Sequence, residues 1–230
     1  MNPPTRLPAA ASRRVRDRLG RAPDGPLRVV HRGPHSIYLD LDGWCLGVVD
    51  AVAAQVPCAL RTTSLAGVPG DRADLRGGVL HLDGIPVTVG RMVHVGVPAL
   101  TASAGSPAPA QDPGSWVARL VGAGDGLTPY GDDVLCGWIA IHRAAGVATP
   151  VEDAAVRALL HRTTLLSATL LDCAMHGEVL PEFAAWVAAL GTPTERAASV
   201  ALEAIGHTSG RGMLEGARQA LTTLDTAVAA

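Results

Sequence analysis

Lysine is absent from this chain: all 19 of its strong cations are arginine. That excludes a P-loop lysine, a Schiff-base lysine and a lysine general base. Any phosphate or carboxylate ligand must then be held by arginine, backbone N–H groups, hydroxyls or a metal. A formal net charge of −2 gives no electrostatic case for nucleic acid or an anionic membrane. No uninterrupted apolar run reaches about 18 residues, so no membrane span is expected. Arg13, Arg14, Arg16 and Arg18 precede no apolar run and do not read as part of a signal peptide. Cys45, Cys58, Cys136 and Cys173 form no C-x-x-C pair, which argues against a zinc ribbon. Their apolar surroundings predict buried free thiols and a cytoplasmic, reducing setting. No repeat of roughly 20–50 residues is visible.

What is present divides the chain into two textures. A length of 230 residues allows one large domain or two small ones. The expected fold class is α+β, with a β-rich domain at 1–102, a linker at 103–114 and a helical domain at 115–230. The β-rich domain should open with an arginine-rich helix from Ala9 to Arg21, its charged face solvated. A mixed or antiparallel sheet, or a partly closed barrel with hairpins, should follow. Asp42-Gly43 and Asp83-Gly84 each separate two apolar runs, a strong hairpin signal because a type I′ turn needs φ > 0 at both central positions. Further strands are expected near Val29 and Val93, and Pro86 argues for an edge strand. The helical domain should carry helices over Trp116–Val121, Val134–Ala145, Thr163–His176, Pro193–Ile205 and Arg211–Val228, and another opened by Pro150. Thr192-Pro193-Thr194-Glu195 reads as a capping box.

Three segments of the helical half are polar, rich in glycine or hydroxyls, and placed at expected helix starts. The first is the loop Gly122-Ala123-Gly124-Asp125-Gly126-Leu127-Thr128-Pro129-Tyr130-Gly131-Asp132-Asp133. Glycines let backbone N–H groups approach a ligand closely. The second is Arg162-Thr163-Thr164, followed by Ser167, and the third is Gly206-His207-Thr208-Ser209-Gly210. Helix N-termini present free N–H groups and partial positive charge, so their convergence would make an anion site. Gly122, Gly124, Gly126, Leu127, Thr128, Arg162, Thr163, Thr164, Ser167, Gly206, Thr208, Ser209 and Gly210 are the candidate binding residues. Asp132 and Asp133 are candidates for proton handling or for Mg²⁺. One of the pair should cap the helix at Val134, with Asp132 assigned the cap and Asp133 the functional role. The plainer alternatives stay open: a tight turn at the loop, ordinary N-caps at Thr208 and Ser209, a dipole contact for His207 and an ion pair for Arg162. Tyr130 is either a ligand-stacking ring or a lid on the turn. Arg61-Thr62-Thr63 repeats the Arg-Thr-Thr string in the β half and reads as coincidence.

The same three segments, with Gly177, Met213, Leu214 and Gly216, resemble the AllH family. The resemblance covers roughly 115–220 and reaches the β half only in general texture. It implies a subunit of an oxamate carbamoyltransferase in allantoin, hence purine nitrogen, catabolism, active together with other subunits. It further implies small anionic substrates, oxamate and carbamoyl phosphate, with His207 or an aspartate taking the amide proton. This chain has Asp125 and Tyr130 where the family pattern has proline and serine. Two readings compete: a Mg²⁺-dependent phosphate- or ATP-using enzyme of carboxylase or ligase type, and a non-catalytic metabolite-binding subunit.

Overall fold

The computed structural model describes residues 5–100 and 113–228. It divides into two compact units, 1–94 and 95–230. The expected linker at 103–114 lies outside the described residues apart from Pro113 and Gly114.

The first unit holds β1 (Leu7–Ala11), α1 (Arg13–Arg21), β2 (Gly25–Arg32), β3 (Ser36–Leu41), β4 (Trp44–Val49), β5 (Ala59–Arg61), β6 (Ala73–Arg76), β7 (Val79–Leu82) and β8 (Ile85–Met92). The strands close into a mixed barrel in the order β1-β5-β4-β3-β2-β6-β7-β8. Parallel pairing of β1 with β8, from Leu7 opposite Val87 to Ala11 opposite Met92, completes the circle. In-register neighbours such as Leu39 and Leu46, Val48 and Leu60, and Leu75 and Leu80 put one apolar face of each strand together, and all six are fully buried. Both Asp-Gly hairpins form as expected. Asp42 and Gly43 have φ of 52° and 74°, Asp83 and Gly84 of 48° and 84°. Asp83 does more than turn the chain: its carboxylate accepts the N–H groups of Gly70 and Arg72, at 2.5 and 3.0 Å.

Two expectations for this unit need correction. Residues 9–11 are strand, because pairing with β8 and β5 outweighs the helix propensity of three alanines; the helix starts at Arg13 behind an N-cap Ser12. A closed barrel leaves no edge for Pro86. That residue sits near the start of β8, where it pairs with β7 only, and β1 joins from Val87 onward. The arginines of α1 are also less free than a solvated face implies, since Arg18 stacks 4.5 Å from the Trp44 ring centroid.

The second unit holds α2 (Pro113–Leu120), α3 (Tyr130–Ala144), α4 (Pro150–Leu159), a 3₁₀ turn (Leu160–Arg162), α5 (Leu165–Met175), α6 (Pro181–Ala189), α7 (Glu195–Glu203) and α8 (Ser209–Val228). Helix α3 is the buried spine, packed on α8 and α5. It begins at Tyr130 rather than Val134, because Pro129 takes the N-cap position and makes no side-chain cap. Asp132 and Asp133 therefore lie inside its first turn, and neither is the N-cap. Helix α6 was not expected, although Pro181 at its first turn and Glu182 after it are start signals. The capping box does not form as drawn: α7 starts at Glu195, whose carboxylate accepts the Gly191 N–H at 2.9 Å. Arg143, only 18% exposed at its side chain, joins three helices. It pairs with both oxygens of Asp153 at 2.7 and 2.6 Å and donates to the Met175 carbonyl at 2.9 Å.

Glycine makes the α3–α8 contact possible. A methyl group on Gly216 would overlap the Val134 carbonyl, and one on Gly137 the Met213 carbonyl. Gly216→Ala is expected to cost the helical unit about 1–3 kcal/mol, the range for overpacking an interior. Gly20→Ala, whose new methyl would meet nothing within 4 Å, is expected to be neutral or slightly stabilising. Thermal melts of both variants check the contrast.

Candidate functional site

The glycine loop spans the end of α2 and the start of α3, and its shape follows from three glycines. Gly122, Gly124 and Gly126 have φ of 74°, 116° and 88°, values that L side chains rarely adopt. Gly122 also lies against the Arg162 carbonyl, which a methyl group there would overlap. The backbone N–H groups from Gly124 to Thr128 donate to no other described residue, and Gly124, Asp125, Gly126 and Leu127 are exposed. Five successive donors in the loop before α3 suit an anionic ligand.

Asp132 ties the first two segments together. It is fully buried. Its Oδ1 accepts the Gly122 N–H at 2.8 Å, and its Oδ2 accepts the hydroxyls of Thr163 and, at 2.7 Å, Ser167. Thr164 adds a second link. Its hydroxyl accepts the Ser167 N–H at 3.0 Å as the N-cap of α5, and donates to the Leu127 carbonyl at 2.5 Å. The expected helix over Thr163–His176 thus begins at Leu165, because both threonines are engaged elsewhere.

The third segment joins through Ser209, whose hydroxyl lies 2.8 Å from that of Thr128. Ser209 also stands beside the Asp133 carboxyl. Asp133 is 3% exposed, and its Oδ2 has no hydrogen-bond partner among the described residues. Burial pushes its carboxyl up to about 7; the Ser209 hydroxyl opposes the shift and the Asp132 charge adds to it. Cys136, one turn further along α3, is held well above the usual thiol range by burial and by the two aspartates.

The remaining candidates border this cluster through their backbones, with Arg162 against Gly122 and Gly206 against Ser209. The Arg162 guanidinium is exposed and donates to the Ala118 carbonyl at 3.0 Å, closing the end of α2. His207 is exposed, and its backbone carbonyl accepts from Arg211 at 3.1 Å. Gly206, at φ 61°, and Thr208 form the turn into α8, and a methyl group on Gly210 would overlap the Leu202 carbonyl of α7. Arg61 belongs to the barrel unit, where it donates to the Gln55 carbonyl at 2.7 Å. The Tyr130 hydroxyl donates to Glu215 on α8, and that bond pushes the phenol up to about 12. Nothing in the sequence linked Tyr130 to Glu215, 85 residues away. Gly212, whose Cα faces Asp133 so closely that a methyl would lie 2.8 Å from its Cβ, was likewise not foreseen. Both could be sought only by following the face of α8 that carries Gly212 and Gly216.

Among the described residues, no group of three or more His, Cys, Asp or Glu is placed to hold a metal ion. Asp132 already spends both oxygens on protein donors. No described helix is long and apolar enough to cross a membrane.

A family model described as oxamate carbamoyltransferase subunit AllH matches residues 120–221, from the end of α2 into α8. No curated protein and no solved structure matches the chain. The matched region contains all three linked segments, and over it the chain is similar to the AllH family.

Proposed function

We propose that this chain is a subunit of a cytoplasmic carbamoyltransferase in purine and allantoin nitrogen catabolism, and that its glycine loop holds a small anionic substrate. Oxamate is the proposed acceptor and carbamoyl phosphate the donor. The observation that carries this reading is the hydrogen-bonded convergence of the loop, the start of α5 and the start of α8 inside the family-matched region. The free N–H groups of Gly124 to Thr128 would bind a phosphate or carboxylate without lysine. Orientation and stabilisation of the developing oxyanion would supply most of the rate. Asp132 acts as the latch that sets the loop, rather than as a group facing substrate. Asp133 or His207 would receive the amide proton. Completion of the active centre by other subunits is part of the proposal. Both Asp132 oxygens are taken by protein donors, and the Mg²⁺-dependent alternative stands behind the carbamoyltransferase reading for that reason.

Co-purification of the full chain with its partners, followed by titration with phosphate, carbamoyl phosphate and small amides, tests the proposal. The parent chain or complex should bind carbamoyl phosphate. Arg162→Ala should weaken that binding about tenfold, as expected for loss of one charge-assisted contact, whereas Arg61→Ala should have no effect. Equal effects from the two changes would remove Arg162 from the site. Full activity of a complex altered in all three segments would instead assign the chain a scaffold role.

A further inference from the structure

One side of α7 and Arg218 of α8 line a cleft of about 490 Å³ in the helical unit, a size that suits a small molecule. No residue assigned to the substrate loop takes part in it. Spacings of three and four residues place Arg196, Ser199 and Glu203 on the same side of α7. Arg196 and Glu203 are two turns apart, roughly 10 Å along the axis, with Ser199 between them.

Some polar groups of the cleft are already engaged. Thr192 donates its hydroxyl to the Ala189 carbonyl at 2.7 Å, and Glu195 accepts the Gly191 N–H at 2.9 Å. The side chains of Arg196, Arg218, Glu203 and Ser199 have no hydrogen bond or ion pair among the described residues. An exposed charge without a partner is ordinarily just solvated. Ser199 is different, because it is only 9% exposed. A helical hydroxyl in such a place can bond back to the carbonyl four residues earlier. Thr222 and Thr223 do so, to Arg218 and Gln219 at 3.0 and 2.9 Å. Ser199 makes no such bond and lines the cleft instead. A buried polar group in this state calls for a partner.

We propose that this cleft binds a small zwitterion, an α-amino acid with an apolar side chain. Arg196 and Arg218 hold its carboxylate, the Ser199 hydroxyl donates to the same carboxylate, and Glu203 accepts from its ammonium group. Pro193 and Val200, the latter 62% exposed, supply an apolar wall. Cations and a carboxylate that line one cleft without meeting each other complement a ligand that carries both signs. Glu203 disfavours a ligand with negative charge alone, and the arginines disfavour one with positive charge alone. This site is independent of the substrate assigned to the loop.

Saturation-transfer NMR of the full chain with leucine, isocaproate and isoamylamine tests the proposal. The last two keep the apolar body of leucine and one of its charges each. Leucine is expected to bind about tenfold tighter than either, the size of one charge-assisted hydrogen bond. Arg218→Gln should reduce leucine to the affinity of the amine, and Glu203→Gln to that of the acid. Ser199→Ala should weaken leucine several-fold. Arg218 and Glu203 are exposed, so both glutamine variants should melt like the parent. No leucine binding by the parent overturns the proposal. So does equal binding of leucine and isocaproate, or leucine binding left unchanged by both Arg218→Gln and Glu203→Gln.

Discussion

Asp132→Ala is expected to lower the stability of the helical unit by about 3–5 kcal/mol, the range for removing one partner of a buried charged contact. Three donors converge on this carboxylate: the Gly122 amide and the hydroxyls of Thr163 and Ser167. Alanine would leave all three without an acceptor in a place that water does not reach, since Asp132 is fully buried. The loop would also lose one of its two ties to α5, so amide exchange at Gly122 should accelerate along with the shift in the denaturation midpoint. Asp132→Asn keeps one acceptor oxygen and should lose much less. A loss below about 1 kcal/mol for the alanine variant would mean that the loop is held by its glycine geometry and not by this carboxylate.

Asp133→Asn should have the opposite sign, and only above neutral pH. Burial pushes the carboxyl up to about 7 in the folded chain, from an ordinary value of 3.8. The folded state therefore holds this proton more tightly than the unfolded state does. Its contribution to stability is fully present below pH 4 and is lost as pH rises through 7. The difference between the two values corresponds to roughly 4 kcal/mol at most. Asparagine keeps the shape of the side chain and cannot ionise. The variant should match the parent near pH 4 and exceed its stability at pH 8. Denaturant unfolding of the two proteins at both pH values measures the gap directly. A gap that does not change with pH would show that Asp133 is not protonated near neutrality.

Local chemistry explains which parts of this structure could be read from the sequence. The hairpins at Asp42-Gly43 and Asp83-Gly84 were legible because a two-residue turn is decided by its own φ angles. The buried thiols of all four cysteines were legible from their apolar neighbours. The strand at Leu7–Ala11 was not, because its partner β8 is some 80 residues away and nothing local outweighs the helix preference of Ala9, Ala10 and Ala11. The same distinction holds at the site. Glycines, threonines and an aspartate pair marked the loop, but which aspartate would hold the fold depended on Thr163 and Ser167, more than 30 residues further on. The helix start moved from Val134 to Tyr130, which put both aspartates inside the first turn and removed the N-cap role from each.

The closure of the barrel has a bearing on how the chain is made. Strand β1 is the first to be synthesised, yet its parallel partner β8 is the last strand of the unit and its other neighbour, β5, comes midway. The hairpins β3–β4 and β7–β8 can form as soon as they emerge, because their pairings are local. β1 has no such option. Until Val87 to Met92 have left the ribosome, the opening strand has at most one side paired and exposes the other to any extended segment nearby. In this unit the earliest residues wait longest for their contacts, and the interval before they find them is when a nascent copy is most open to joining another.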